Sequence, residues 1–485
     1  MSVPVLSGIA AFARFVWNKL RSRPTVQANG GAVAAGGDQT INAPAATSGG
    51  VVATDQAIVV TGQGGSPTII VQSGGTVNLV PYVDGLPQAK DPALRAAFEE
   101  GRRLQDEGYE AQNAHKHQEA IDRFTRALAL AENDSQRAAL HGLRGNSYES
   151  ISQYNDAQTD YEETLRLADN IPDTREAAQA RASALGNLGL VYHERGDLEK
   201  ATEHHQQALE IRRGIGDRLG EAGALGNLGL VYHERGDLEK AEEHHKQALK
   251  IDREIGNRLG EAQDLGNLGL IYTTRGDLDE AEQHLQQVLD VFRKLGNRLG
   301  EANALGNLGN VYSQRGELEK AEECHKQALE IDREIGNRQC EAQDLGNLGT
   351  VFGQRGGPGD TDKAEEHFKQ ALEIRREIGN HLGEAQDLGN LGNVYRQRGD
   401  LEKAEAHYRQ ALELDRENGS RLGEAQDLAN LGLLYARRGD ARTAREHLQQ
   451  AQTTYQEIGA GGEGPEIVRQ ALEELERRQQ QERGE

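Results

Sequence analysis

The sequence predicts an all-helical superhelical solenoid of antiparallel helix pairs, preceded by a short N-terminal helix and a Gly/Val-rich segment that is β-prone or disordered. Three observations predict it. The run LGNLGLVYHERGDLEKA occurs at Leu185 and again at Leu225, and close variants begin at Leu265, Leu305, Leu345, Leu388 and Leu428. A period near 40 residues marks units too small to bury their own apolar face, which must stack on their neighbours. Each unit holds two stretches of helical spacing separated by a glycine. The composition, 27% charged and 4% aromatic, suits a long one-dimensional core better than a large globular one.

The unit from Asp217 to Gly256 shows how each element arises. Leu225, Leu228, Gly229 and Tyr232 fall at helical spacing and share one face of a first helix. Gly236-Asp237 breaks the chain, and Asp237 is suited to cap a second helix whose apolar stripe is Leu238, Ala241, His245, Ala248, Leu249 and Ile255. Gly256 supplies the left-handed conformation that ends it. Small residues at Gly229 and Ala241 allow the two axes to approach closely.

The pattern Leu225-x-x-Leu228-Gly229-x-x-Tyr232 followed by Ala241 and Ala248 resembles the tetratricopeptide repeat. The Leu-Gly-Asn wording and the longer period are similar to its kinesin light chain and Leu-Gly-Asn polarity-adaptor branch. Second-helix alanine anchors at Ala120, Ala157, Ala201, Ala241, Ala281, Ala321, Ala364, Ala404 and Ala444 imply about nine units. The expected organisation is an N-terminal amphipathic segment at 1–24, a Gly/Ala/Val-rich region at 25–90, the repeat array at 91–460, and a capping helix and tail at 461–485. The first two units follow the pattern loosely. An extra Gly-Pro-Gly loop, Gly356 to Asp360, separates the helices of the unit after Leu345.

Residues 1–24 combine Val3, Val5, Leu6, Ile9, Phe12, Phe15, Val16 and Trp17 with Lys19, Arg21 and Arg23. The run is short and interrupted by Arg14, which argues against a membrane span, and its positive charge follows the apolar stretch, opposite to a signal peptide. Membrane contact through an amphipathic helix stays open. Between Thr25 and Pro87, strand-like pieces at Ala57–Val60, Thr68–Val71 and Thr76–Val80 recur between glycine pairs. A sheet this small either stays flexible or pairs with copies of itself, so residues 25–90 are a candidate route to a homo-oligomer.

A net charge of −23 argues against nucleic acid, which requires clustered cations. Only Cys324 and Cys340 occur, a count that fits a reducing, cytoplasmic setting. No phosphate loop or His-Glu-x-x-His is present, so no enzyme activity, catalytic residue or cofactor is expected. His204, His244, His284, His367, His407 and His447 recur at one position, with Cys324 in the same slot. Stacked helices lie about 8–10 Å apart, whereas metal ligands meet within about 2.1 Å of one ion, so no metal is expected and the rings are read as flanking the apolar stripe.

On the opposite side of the first helix, Gly223, Asn227, Leu230 and Glu234 cluster on a face the hairpin does not use. The family resemblance implies that this face lines a concave groove and that Asn187, Asn227, Asn267, Asn307, Asn347, Asn390 and Asn430 form a ladder along it. An amide offers a donor and an acceptor to the backbone of an extended peptide. One arginine per unit also recurs, among them Arg235, Arg275 and Arg315, which either favours the negative helix end or clamps ligand carboxylates. The next face positions grade from Leu230 and Glu234 to polar residues and then Arg437, which matches a ligand with an acidic or polar end over the late units. The functional expectation is a scaffold or adaptor that captures a protein or peptide segment. The alternatives are a self-assembling structural protein and a regulatory subunit of a separately encoded enzyme.

Overall fold

The computed structural model describes residues 92–484 except residue 173, together with four short strands. The strands β1 (Val51–Thr54), β2 (Ala57–Thr61), β3 (Pro67–Ser73) and β4 (Thr76–Leu79) form an antiparallel meander. Ile58 pairs with Ala53 and Ile70, and Ile70 with Leu79. The helix expected at residues 1–24 lies outside the described residues. No described helix is long and apolar enough to cross a membrane.

The chain divides into two compact units, one comprising residues 9–271 and the other 1–8 with 272–485. The first contains α1 (Pro92–Asn113), α2 (His117–Leu128), α3 (Asp134–Ser150), α4 (Tyr154–Asn170), α5 (Arg175–Glu194), α6 (Leu198–Ile215), α7 (Arg218–Glu234) and α8 (Leu238–Ile255). The division falls within α9 (Arg258–Arg275). The second contains α10 (Leu278–Leu295), α11 (Arg298–Arg315), α12 (Leu318–Ile335), α13 (Arg338–Arg355), α14 (Asp360–Glu377), α15 (His381–Arg398), α16 (Leu401–Glu417), α17 (Arg421–Arg438), α18 (Ala441–Glu457) and α19 (Glu463–Gly484). In both, odd-numbered first helices pair with the following even-numbered helix, and successive first helices are also neighbours. In the 9–271 unit β4 runs beside α5 and α7.

Local chemistry sets the boundaries. Asp237 accepts a hydrogen bond from the Lys240 backbone N–H at 3.2 Å, and Asn297 accepts from that of Gly300 at 2.9 Å. Each cap satisfies a donor that the first turn leaves without a partner. Gly256 ends α8 at φ 72°, a conformation costly for any residue with a Cβ. The inserted loop closes on itself, because Asp360 accepts from Arg355 Nε at 2.8 Å, from its Nη2 at 2.7 Å and from the Gly357 N–H at 3.0 Å.

Close approach of paired helices depends on glycine. A Cβ at Gly229 would stand 2.5 Å from His245 Nε2, and one at Gly392 would stand 2.5 Å from Tyr408 Cε1. The anchor alanines Ala120, Ala241, Ala321 and Ala404 are wholly buried. Ile255 departs from expectation. It stands 40% exposed at the last residue of α8.

Candidate functional site

The ladder asparagines fall on successive first helices. Asn227 and Asn267 in the 9–271 unit, and Asn307, Asn347, Asn390 and Asn430 in the 272–485 unit, are all half-buried at one register. Asn347 accepts from Gln343 Nε2 at 3.2 Å. No hydrogen bond from another described residue occupies the amides of Asn307, Asn390 or Asn430. Asn187 differs, being 3% exposed and donating to Asn146 Oδ1 at 2.9 Å. Asn146 also accepts from the Tyr161 hydroxyl at 2.8 Å. Asn146 follows the glycine that packs on Tyr161, so it stands at the register of Leu230 and Asn393 rather than that of the ladder.

Most of the recurring arginines point to the preceding helix pair. Arg315 binds Glu282, Asp279 and the Leu278 carbonyl. Arg235 lies 3.5 Å from Glu199, and Arg275 lies 3.6 Å from Asp277. Arg355, Arg398 and Arg438 likewise pair with Glu322, Glu365 and Glu405. All of these but the local Arg275 pair fasten one repeat to the next, each worth roughly 0–1 kcal/mol at the surface.

Each histidine of the recurring row stacks on the first-helix aromatic of its own repeat, as Tyr232 does with His244 at 5.2 Å and Phe352 with His367 at 5.3 Å. Nδ1 of His204 and of His407 meets the carbonyl one turn earlier at 2.8 Å. The ring is thereby held beside the stripe, and Lys240 covers the Tyr232 ring at 5.0 Å. Among the described residues no group of three or more His, Cys, Asp or Glu is placed to hold a metal ion.

A second set of polar contacts, which the spacing within one unit does not reveal, lies inside the seams between repeats. His245 and Asp264 are hydrogen-bonded at 3.0 Å and His325 and Asp344 at 3.1 Å, all buried. Burial holds both imidazoles well below their usual range, His245 at about 3 and His325 at about 4. It also pushes both aspartates up. A second carboxylate joins each seam. Asp252 is pushed up to about 7, chiefly by burial, with Asp264 and Glu261 adding repulsion. At the equivalent seams Phe368 accompanies Arg375 and Asp387, whose Nε and Oδ2 are 2.9 Å apart, and Tyr408 accompanies Asp415 and Asp427. The seam of Leu285, Phe292 and Ala304 is apolar. The glycine preceding most ladder asparagines borders these seams without crowding. Asp264 Oδ1 would lie 3.6 Å from a Cβ at Gly226, and Asp427 Oδ1 would lie 3.4 Å from one at Gly389.

One seam is incomplete. His205 is 1% exposed with neither ring nitrogen hydrogen-bonded, and the residue facing it where Asp264 faces His245 is Ala224. Arg212, at the position of Arg375, turns instead to Asp217 at 2.7 Å. A Cβ at Gly186 would meet nothing within 4 Å. Ala224→Asp is therefore expected to stabilise the protein by about 1 kcal/mol and to lift the His205 pKa above about 3. A thermal melt and a histidine NMR titration check this, and a lower Tm would refute it.

Tetratricopeptide-repeat family profiles match residues 180–254, 260–334, 300–358, 359–417 and 428–450. No curated protein matches the chain in sequence. Among solved structures, the apo quorum sensor NprR from B. thuringiensis superposes with a TM-score of 0.54 at 15% identity, over 67% of this chain and 89% of that one. A STAND signal-transduction ATPase with a tetratricopeptide repeat sensor, from Pyrococcus horikoshii, gives 0.52 at 20% identity, over 74% of this chain and 54% of that one. At such identities the likeness speaks to fold. With the paired helices, the glycine-to-ring contacts and the alanine anchors, these matches make the chain a tetratricopeptide-repeat protein.

Proposed function

We propose that this chain is a non-enzymatic interaction protein that holds an extended segment of another polypeptide on its first-helix face. The observation that carries the reading is the row of half-buried amides at Asn307, Asn390 and Asn430, which other described residues leave unoccupied. A peptide backbone asks for a donor and an acceptor at intervals, and an amide supplies both. Neighbouring helices lie about 8–10 Å apart, and an extended chain advances about 3.3 Å per residue. Each rung therefore meets about every third ligand residue.

The test uses peptides selected from a random display library on the full-length chain. The combined substitution Asn307→Ala, Asn347→Ala and Asn390→Ala is expected to weaken a selected peptide at least about tenfold, from several lost hydrogen bonds of about 1 kcal/mol each. Helical content by circular dichroism should hardly change. Unchanged affinity with a collapsed Tm would show the amides to be structural.

A further inference from the structure

The face of α11, α13, α15 and α17 differs from that of α5 and α7 in its charge. Where the latter carry Glu194 and Glu234, the former carry Gln314, Gln354, Gln397 and Arg437. No Asp or Glu occupies the face positions of those four helices, although the chain has 78 acidic residues against 55 Lys and Arg. This surface has been kept free of negative charge in a strongly acidic protein.

At its end lie two arginines on successive first helices. Arg437, exposed on α17, donates from Nη1 to the Arg396 carbonyl oxygen at 3.0 Å. Arg396, half-buried on α15, donates from Nε to the Tyr408 hydroxyl at 3.3 Å and from Nη2 to Asn393 Oδ1 at 3.5 Å. Neither guanidinium forms an ion pair with a described residue, in contrast to Arg398 and Arg438, which bind Glu365 and Glu405. Asp427, which like Arg396 acts on the Tyr408 hydroxyl, is pushed up to about 9 by burial and the nearby Asp415. It is therefore uncharged at neutral pH and offers no compensation. Two guanidinium groups without a counter-charge, on a face free of acidic side chains, offer an anionic ligand charge-assisted hydrogen bonds.

We infer that Arg396 and Arg437 form an anion subsite that receives the carboxylate side chains of an acidic stretch in the bound polypeptide, with the amide rungs of α13 and α15 holding the neutral stretch beside it. The inference rests on the groove reading proposed above. The partner segment is thus neutral and polar over most of its length and rich in Asp or Glu at one end.

Selection from a random dodecapeptide display library, with the full-length chain as bait, tests it. Selected peptides should carry an excess of Asp and Glu confined to one end. Changing those residues to Asn and Gln should weaken binding about tenfold or more, as should Arg396→Gln with Arg437→Gln on the protein. Arg396→Lys with Arg437→Lys should retain the acidic preference, and added salt should weaken the acidic peptides more than their amide counterparts. Peptides selected without acidic excess, or an excess that survives the double Gln variant, would overturn the subsite. Were such neutral peptides still lost on the asparagine variant, the groove reading would stand alone. Selection of no peptide at all would sink both. Binding of a phosphoserine version in place of the glutamate one would overturn the carboxylate assignment.

Discussion

Gly229→Leu is expected to lower stability by roughly 1–3 kcal/mol or more, because overpacking forces side chains off their rotamers or helices apart. The His245 ring leaves no space, since a single Cβ at Gly229 would already come within 2.5 Å of Nε2 and 2.6 Å of Cδ2. The ring cannot swing away without breaking its hydrogen bond to Asp264, which would leave a buried carboxyl without its partner. Damage at one hairpin is thereby passed to the next repeat. Gly226→Ala, three residues away, provides the control. Its methyl would meet Asp264 Oδ1 at an ordinary 3.6 Å, and alanine gains up to about 1 kcal/mol of helix propensity over glycine. Circular dichroism melts should show a lower Tm for the leucine variant and an equal or higher one for the alanine variant. Similar melts for both would remove the glycine-to-ring contact from the account of the hairpin.

The second large effect concerns pH. Asp427 is pushed up to about 9 and Asp415 to about 6 by burial, whereas an unfolded aspartate titrates near 3.9. The folded chain therefore binds more protons than the unfolded one between these values. The contribution to stability is complete below about pH 4 and is lost as pH rises through the folded value. Asp427→Asn removes that titration and should stabilise the protein at pH 8 by on the order of 2 kcal/mol, with little effect near pH 4. Tm measured across that range for both proteins checks the sign. His245 and His325 act in the opposite sense, since their depressed values of about 3 and 4 cost stability as pH falls below about 6.5. A variant whose pH profile parallels the original would mean that Asp427 is ionised in the fold.

The solenoid was legible because it is written redundantly. Seven near-copies fix the period, glycines mark each helix end, and alanines recur wherever two axes approach. The asparagine register was equally legible as a face, and Asn187 shows why its role was not. A residue at the right angle on a helical wheel still binds whatever its neighbour presents, and here the neighbour is Asn146. The seams escaped notice for another reason. His245 was assigned to the apolar stripe, and its burial agrees, but its partner lies in the next repeat. Only comparison across repeats exposes the rule that histidine at 245 and 325 accompanies aspartate at 264 and 344, while Leu285 accompanies Ala304. The arginines were ambiguous because an exposed cation can serve a helix end, a neighbour or a ligand, and Arg315 chose the neighbour.

Because each seam draws its chemistry from two successive repeats, the modules are not interchangeable beads. Excision of residues 341–383 would bring His325 opposite Asp387 and keep an imidazole facing a carboxylate. Excision of residues 301–340 would set Asp344 against Leu285 and Phe292 and strand an unpartnered carboxyl among hydrocarbons. The order of the repeats is thus guarded by a grammar at their joints. Gene lineages that lengthen or shorten such an array can do so cheaply at some boundaries and only with compensating changes at others.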